Sequence, residues 1–360
     1  MNNQNDTLLT RHIQTSDLQL PKKIEELLLA ITPPDSPNKP LYHDMLLTIA
    51  RMAEADRDRW DAKIMLQTLR EMESAFSVLS RFQRRRKVTV FGSARTPEQH
   101  PVYQQAELLG SLLAKNNLMV ITGAGGGVMA AAHAGAGLEN SLGLNIKLPF
   151  EQGANATVEN SDNLLTFHFF FLRKLFFVKE ADALILCPGG FGTLDEALEV
   201  LTLIQTGKSP LVPIVLLDQP NGRYWSQAIA FMQEQLLDNH YISPHDLELM
   251  RLVHSPEEAV REVTQFYQNY HSSRWLKQDF IIRIKYLLTE TALSTLNQQF
   301  AELCLAGSFE QYPNCHEIDY EPEFCNLARL SFKFNNRDFG KLRLLVDFIN
   351  QPENFIIESN

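Results

Sequence analysis

The segment Pro188-Gly189-Gly190-Phe191-Gly192-Thr193-Leu194-Asp195-Glu196 directly follows the apolar run Ala183–Cys187. A strand, a glycine turn and a helix start, in that order, expose backbone N–H groups at a helix N-terminus. Hydrogen bonding and the helix dipole both favour an anion there. Glu196 places a carboxylate in the first helical turn, beside that anion. A phosphate cradle with an acid next to it points to chemistry on a phosphorylated small molecule. Thr193 and Glu196 also have the spacing of a capping box, in which Glu196 would only accept the Thr193 backbone N–H. Capping does not need Gly189, Gly190 and Gly192 ahead of it. If a phosphate occupies the turn, Thr193 and the free amides serve it.

Three further groupings could meet such a ligand. Gly123-Ala124-Gly125-Gly126-Gly127 lies between an apolar run and a helical pattern. Glycines let a backbone approach a ligand closely, and four glycines in five residues, Gly123, Gly125, Gly126 and Gly127, exceed what a tight turn requires. The run is not a dinucleotide fingerprint, because its third glycine would fall on Val128. Gly207-Lys208-Ser209 is no P-loop, since Thr202 stands where that motif needs glycine. Arg173 and Lys174 sit inside the aromatic stretch Phe169–Phe177. At least one of the two is expected to be partly buried, and a buried cation needs an anionic partner, Glu196 or a ligand phosphate. Gly92-Ser93-Ala94-Arg95 ends another apolar run, where Ser93 could bond a ligand and Arg95 could meet a phosphate.

The elements that must position these groups alternate. Strands are expected at 88–91, 118–121, 142–146, 183–187 and 213–217, with 164–167 extended. Helices are expected at 102–115, 128–138, 169–179, 194–205 and 224–237. Repeated strand–helix units give an α/β fold, a Rossmann-like doubly wound parallel sheet that binds ligands beyond its strand carboxyl ends. The glycine turns fall at those ends. Ahead of this 87–270 domain, residues 1–40 read as a mobile N-terminal arm with one helical stretch at Ile24–Ile31, and residues 41–86 as two N-terminal helices. Residues 271–360 read as a small C-terminal α+β extension, with an amphipathic helix at Ile281–Phe300, a loop at Cys315–Leu327, a strand at Leu330–Phe334 and a helix at Lys341–Ile349.

Composition narrows the function classes. The 360 residues carry a formal net charge of −10, which argues against general nucleic-acid binding. The one dense basic cluster, Arg84–Lys87, reads as a solvated helix end. Four cysteines in so long a chain suggest no disulfide framework, and none has zinc-site spacing. Met1–Leu20 lacks a signal-peptide core, and no apolar run reaches membrane-spanning length. A cytoplasmic protein is expected.

Taken together, these residues resemble the LOG family of nucleotide-processing proteins, long mislabelled as lysine decarboxylases. The resemblance rests on Gly92-Ser93, the glycine loop 123–127, Arg173-Lys174 and the Pro-Gly-Gly-x-Gly-Thr-x-x-Glu signature at 188–196. It extends to longer stretches at 90–97, 144–152 and 201–208 that look like the bacterial branch. It covers about residues 70–240. It implies hydrolysis of the N-glycosidic bond of a nucleoside 5′-monophosphate, either an ordinary purine or pyrimidine nucleotide or a cytokinin riboside monophosphate, to free base and ribose 5-phosphate. Arg173 and Glu196 would be the catalytic pair. Gly125–Gly127, Gly189–Gly192 and Thr193 would hold the 5′-phosphate, with Ser93, Arg95 and Lys174 as further nucleotide contacts. No metal or other cofactor is implied, and a homodimer or larger homo-oligomer is. One departure stands out. The bacterial branch usually has Gly-Ile-Met-Glu-Ala-Ala-Asn where this chain has Gly127-Val128-Met129-Ala130-Ala131-Ala132-His133. Met129 and His133 are therefore candidate substrate contacts. The alternative is a non-catalytic nucleotide or molybdenum-cofactor carrier, which the changes at Ala130 and His133 favour.

Overall fold

The computed structural model describes residues 19–83, 85–148, 153–314 and 322–357. Arg84, the end of the motif at 149–152, residues 1–18 of the expected arm and residues 315–321 of the expected 315–327 loop lie outside them. The chain divides into two compact units, residues 1–70 and 71–360. In the first, α1 (Leu20–Ile31) and α2 (Lys39–Glu54) each carry a proline as their second residue, Pro21 and Pro40, which the first helical turn tolerates. Ile24 and Leu28 of α1 pack with Leu47 of α2. This part of the expected arm is therefore a docked helix. A third helix, α3 (Arg59–Leu79), runs across the division.

The second unit holds seven strands: β1 (Lys87–Phe91), β2 (Met119–Thr122), β3 (Ser141–Ile146), β4 (Leu164–Phe167), β5 (Ala183–Leu186), β6 (Ile214–Leu217) and β7 (Met250–Val253). They form one sheet in the order β4-β3-β2-β1-β5-β6-β7, and every ladder is parallel. Both faces are covered, which is why the strands read as continuous apolar runs. On one face Val88, Val90, Ile185 and Val215 pack against α4 (Pro101–Lys115), α5 (Val128–Ala136) and α9 (Pro256–Phe266). On the other, Leu142, Leu184, Leu186 and Ile214 pack against α6 (Phe170–Glu180), α7 (Phe191–Gln205), α8 (Tyr224–Phe231) and the last turns of α3, at Ala75 and Leu79. The chain winds outward from β1 to β4 and then returns to β5 on the other side of β1. That reversal leaves a crevice at the carboxyl ends of β1 and β5.

The alternation expected over 87–237 is present. Beyond it, β7 and β8 (Tyr270–Leu276) had no counterpart in the sequence reading. The expected helix over Ile281–Phe300 is corrected. Asp279–Ile284 is a strand, β9, and the helix α10 covers only Glu290–Gln299. Phe280, Ile281 and Ile282 suit a pleated surface, and β9 is paired on both sides, by β8 and by β11 (Ala328–Phe332). Tertiary pairing overrides local periodicity there. With β10 (Glu310–Tyr312) these strands make an antiparallel sheet in the order β10-β11-β9-β8. This sheet and α11 (Phe339–Ile349) share one apolar core with the parallel sheet, where Ile282, Leu330 and Leu345 join Ile214, Trp225 and Phe266. Cys187 is buried and Cys304 is free, whereas Cys325 is disulfide-bonded.

Candidate active site

Three loops meet at the crevice, and Ser93 ties them together. Its N–H donates to Pro188 O at 3.1 Å, and its carbonyl accepts from Val128 N at 3.0 Å. Its hydroxyl accepts from Arg95 N at 3.1 Å. Each loop follows a strand end, so the backbone of β1 holds the turns after β2 and β5 in fixed register. Gly127 is required here. Its φ is +60° and a Cβ would stand 2.2 Å from Ser93 O. Gly189 is equally enclosed, a Cβ there meeting Thr193 Oγ1 at 2.1 Å. Gly190 and Gly192 face open space. The helix α7 begins at Phe191 with Gly190 as its N-cap. Thr193 and Leu194 donate to Gly190 O. Among the described residues, the amides of Gly190, Phe191 and Gly192 find no backbone acceptor, which leaves a cradle of N–H groups at the helix start.

Because α7 starts three residues earlier than expected, Thr193 is not its cap and Glu196 lies in its second turn. The capping-box alternative is thereby removed. Glu196 is 3% exposed, its Oε2 is buried with no hydrogen-bond partner, and its Oε1 is 4.0 Å from Lys174 Nζ. Burial pushes the carboxyl up to about 7, opposed by Lys174 and Arg173 and assisted by the charges of Glu199 and Asp195. A carboxylate held near half-ionisation in a crevice is what proton-transfer chemistry at neutral pH requires. Lys174 Nζ is 2.8 Å from Asp195 Oδ2 and 2.7 Å from Glu199 Oε2. Burial alone would lower its pKa. The two hydrogen bonds and the neighbouring charges outweigh that and raise it. Lys174 is thus a fixed cation with three acids around it.

Arg173 lies over the rings of Phe170 and Phe177 at 5.0 and 5.5 Å. A Cβ on Gly123 would be 3.7 Å from its Nη1, so its guanidinium borders the first glycine loop. Met129 lies along the same loop. Its Sδ and Cε come within 2.9 and 2.7 Å of where Cβ atoms on Gly123 and Gly125 would stand. The structure therefore brings Ser93, the two glycine loops, Met129, Arg173, Lys174 and Glu196 to one strand edge. Arg95 is exposed at the rim.

His133 departs from the expectation of a substrate contact. It is fully buried. Nε2 lies 3.2 Å from Thr122 Oγ1, and Nδ1 lies 3.2 Å from Asn155 Nδ2. Burial drives its pKa down to about 4, against the hydrogen bond to Asn155. Asn155 in turn donates to Gly125 O at 3.1 Å, and its N–H to Ala124 O at 2.8 Å. His133 thus props the glycine loop from beneath. Sequence reasoning missed Asn155, which has no local signal. It also missed Tyr224, whose hydroxyl donates to Gly189 O at 2.7 Å and anchors the second turn. Asp195 and Glu199 were legible only once Lys174 was seen between them.

Residues 126–263 match the family model described as "Possible lysine decarboxylase". Over this region the chain resembles the LOG family, whose curated members are its similar sequences. It is similar to a cytokinin riboside 5′-monophosphate phosphoribohydrolase of Arabidopsis thaliana, 29% identical over 58% of this chain and 94% of that protein. It is also 29% identical to the enzyme of the same name from Mycobacterium tuberculosis, over 47% of this chain and 88% of that protein. Among solved structures, the molybdenum cofactor binding protein of Rippkaea orientalis aligns with a TM-score of 0.37 at 22% identity, over 51% of this chain and 97% of that one. No described helix is long and apolar enough to cross a membrane, and no metal-ligating cluster occurs among the described residues.

Proposed function

We propose that this LOG-like domain hydrolyses the N-glycosidic bond of a nucleoside 5′-monophosphate. The observation that carries the reading is Glu196, buried, unspent on its own backbone and poised near pKa 7 beside an amide cradle at the sheet's switch point. The 5′-phosphate sits on the amides of the 189–192 turn and the 125–127 loop, and Thr193 assists. This remote binding energy fixes the ribose against Glu196. As the C1′–N bond breaks, its electron pair leaves with the base and positive charge builds on the ribose. Ionised Glu196 stabilises that charge and takes a proton from the attacking water, whose oxygen bonds to C1′. The departing base takes up a proton from solvent and Glu196 gives the one it took from water back to solvent, which restores the ionised acid. Arg173, whose guanidinium keeps its proton, is no proton donor. It positions Glu196, binds ligand anions and favours the ionised acid. The base is a purine, a pyrimidine or a cytokinin, the last being the substrate class named for the relatives. Two copies of the chain pair through the exposed apolar side chains of α6 and α7.

The test is chromatography of the purified protein with a nucleotide panel. Free base and ribose 5-phosphate appear with wild type. Glu196→Gln abolishes them while nucleotide binding survives. Turnover retained in that variant rejects the assigned role. Binding without any product in wild type selects the carrier reading instead.

A further inference from the structure

A second cavity, of about 710 Å³, opens at the opposite edge of the parallel sheet. It lies where β1, β5 and β6 begin, against the start of β8. Its size is that of a small-molecule site. Four cationic side chains line it, Arg85, Arg86, Lys87 and Lys179, against two carboxylates, Glu180 and Asp182. The acids are already engaged, since Asp182 meets Arg86 at 2.9 Å and Glu180 bridges Lys87 at 3.1 Å and Lys179 at 2.5 Å, while Arg85 donates to Asn140 Oδ1 at 2.7 Å. An excess of two positive charges is left. The surroundings extend that field. His271 on the cavity wall is held down to about 4, by burial first and then by Arg86, Arg283, Lys285 and Arg329. Burial and Arg86 likewise lower Lys285. Half-buried Phe324 supplies an aromatic wall, backed by Tyr270 and by Tyr267, whose ring Arg86 covers at 3.6 Å, and Ser272 and Ser273 supply hydroxyls.

We propose that this amino-edge cavity is a second ligand site, for a phosphomonoester dianion carrying a flat or ring-shaped group. Two excess charges match a dianion better than a single carboxylate, and the aromatic wall takes the remainder of the ligand. The site is separate from the glycine turns, because it opens at the other end of the same strands. It is nevertheless joined to them by two helices. Helix α6 carries Arg173 and Lys174 near its start and Lys179 and Glu180 at its end, about 9 Å further along its axis. Helix α7 carries Glu196 and leads into Pro210–Val212 on the cavity wall. Occupancy would therefore bear on the groups assigned to hydrolysis. That consequence rests on the proposed function, whereas binding itself does not.

The experiment is calorimetric titration of the full-length protein with phenyl phosphate, which has no glycosidic bond to cleave. Wild type binds it. Lys179→Glu and Ser273→Glu, on different elements, each weaken binding at least tenfold at unchanged circular dichroism. Gly190→Asp, which places a like charge in the catalytic turn, retains binding at the cavity. Loss in Gly190→Asp with unchanged affinity in the two cavity variants overturns the proposal, as does absence of binding in wild type. Because the readout is heat of binding, it stands apart from the nucleotide-panel assay, and either can fail alone.

Discussion

At the scale of single residues, the site is a contest between burial and charge on one carboxyl. Burial lifts Glu196 to about 7 even though Lys174 and Arg173 pull the other way. If ionised Glu196 is the base, kcat/KM for a nucleotide rises with pH through an acid limb near 7. Lys174→Met removes a charge that favours the ionised form, so the limb moves to higher pH, by about 1 pH unit or more. A pH–rate profile of both proteins checks this, and a limb that stays in place shows that another group titrates. The same raised pKa is a stability cost. The unfolded carboxyl ionises near 4.5 and the folded one near 7, so the folded state holds the extra proton between them. Stability from this group is full below 4.5 and is lost as pH rises through 7. Glu196→Gln cannot ionise and escapes that loss. Calorimetry at pH 8 is expected to show the variant more stable by up to about 3 kcal/mol, with the gain vanishing toward pH 4.5.

At the scale of elements, the turns divide into glycines that the backbone needs and glycines that only the proposed phosphate would need. Gly127 is of the first kind, at positive φ with Ser93 O against its missing Cβ. Gly127→Ala is expected to lose about 3 kcal/mol in chemical denaturation and to distort both loops that Ser93 ties. Gly190 has φ −91° and open space around it. Gly190→Ala is expected to change stability by under about 0.5 kcal/mol, yet to raise KM several-fold, because the methyl narrows the cradle. A destabilised Gly190→Ala with normal KM would reverse this assignment. The elements that position the site were the most legible part of the chain. Their apolar runs and glycine punctuation are local, and the winding rules of parallel sheets did the rest. What stayed hidden was non-local. Asn155 and Tyr224 reach the loops from distant positions, and His133 is buried by neighbours that no helical spacing reveals. The strand β9 looked helical because its partners, β8 and β11, come from elsewhere in the chain.

At the scale of the whole molecule, the C-terminal elements cannot be peeled away as an ornament. They bury one face of the parallel sheet's helical layer and share its core, and the amino-edge cavity lies between the two sheets. The opposite situation holds where α6 and α7 face outward. Phe171, Leu175 and Leu198 are exposed there, and Phe191 is 93% exposed in the turn that carries the amide cradle. An aromatic side chain left almost wholly in water stabilises nothing in a single chain. Lys174 bridges α6 to α7 through Asp195 and Glu199, so the two helices present these side chains on a fixed frame. A second copy of the chain covering that frame would exclude water from the turn and strengthen every charge interaction around Glu196. Sedimentation velocity is expected to show a dimer or larger assembly for wild type. For Phe191→Asp it is expected to show a smaller species, with kcat/KM reduced at least tenfold. A variant that keeps both its mass in solution and its turnover places the subunit contact elsewhere and leaves Phe191 without a role.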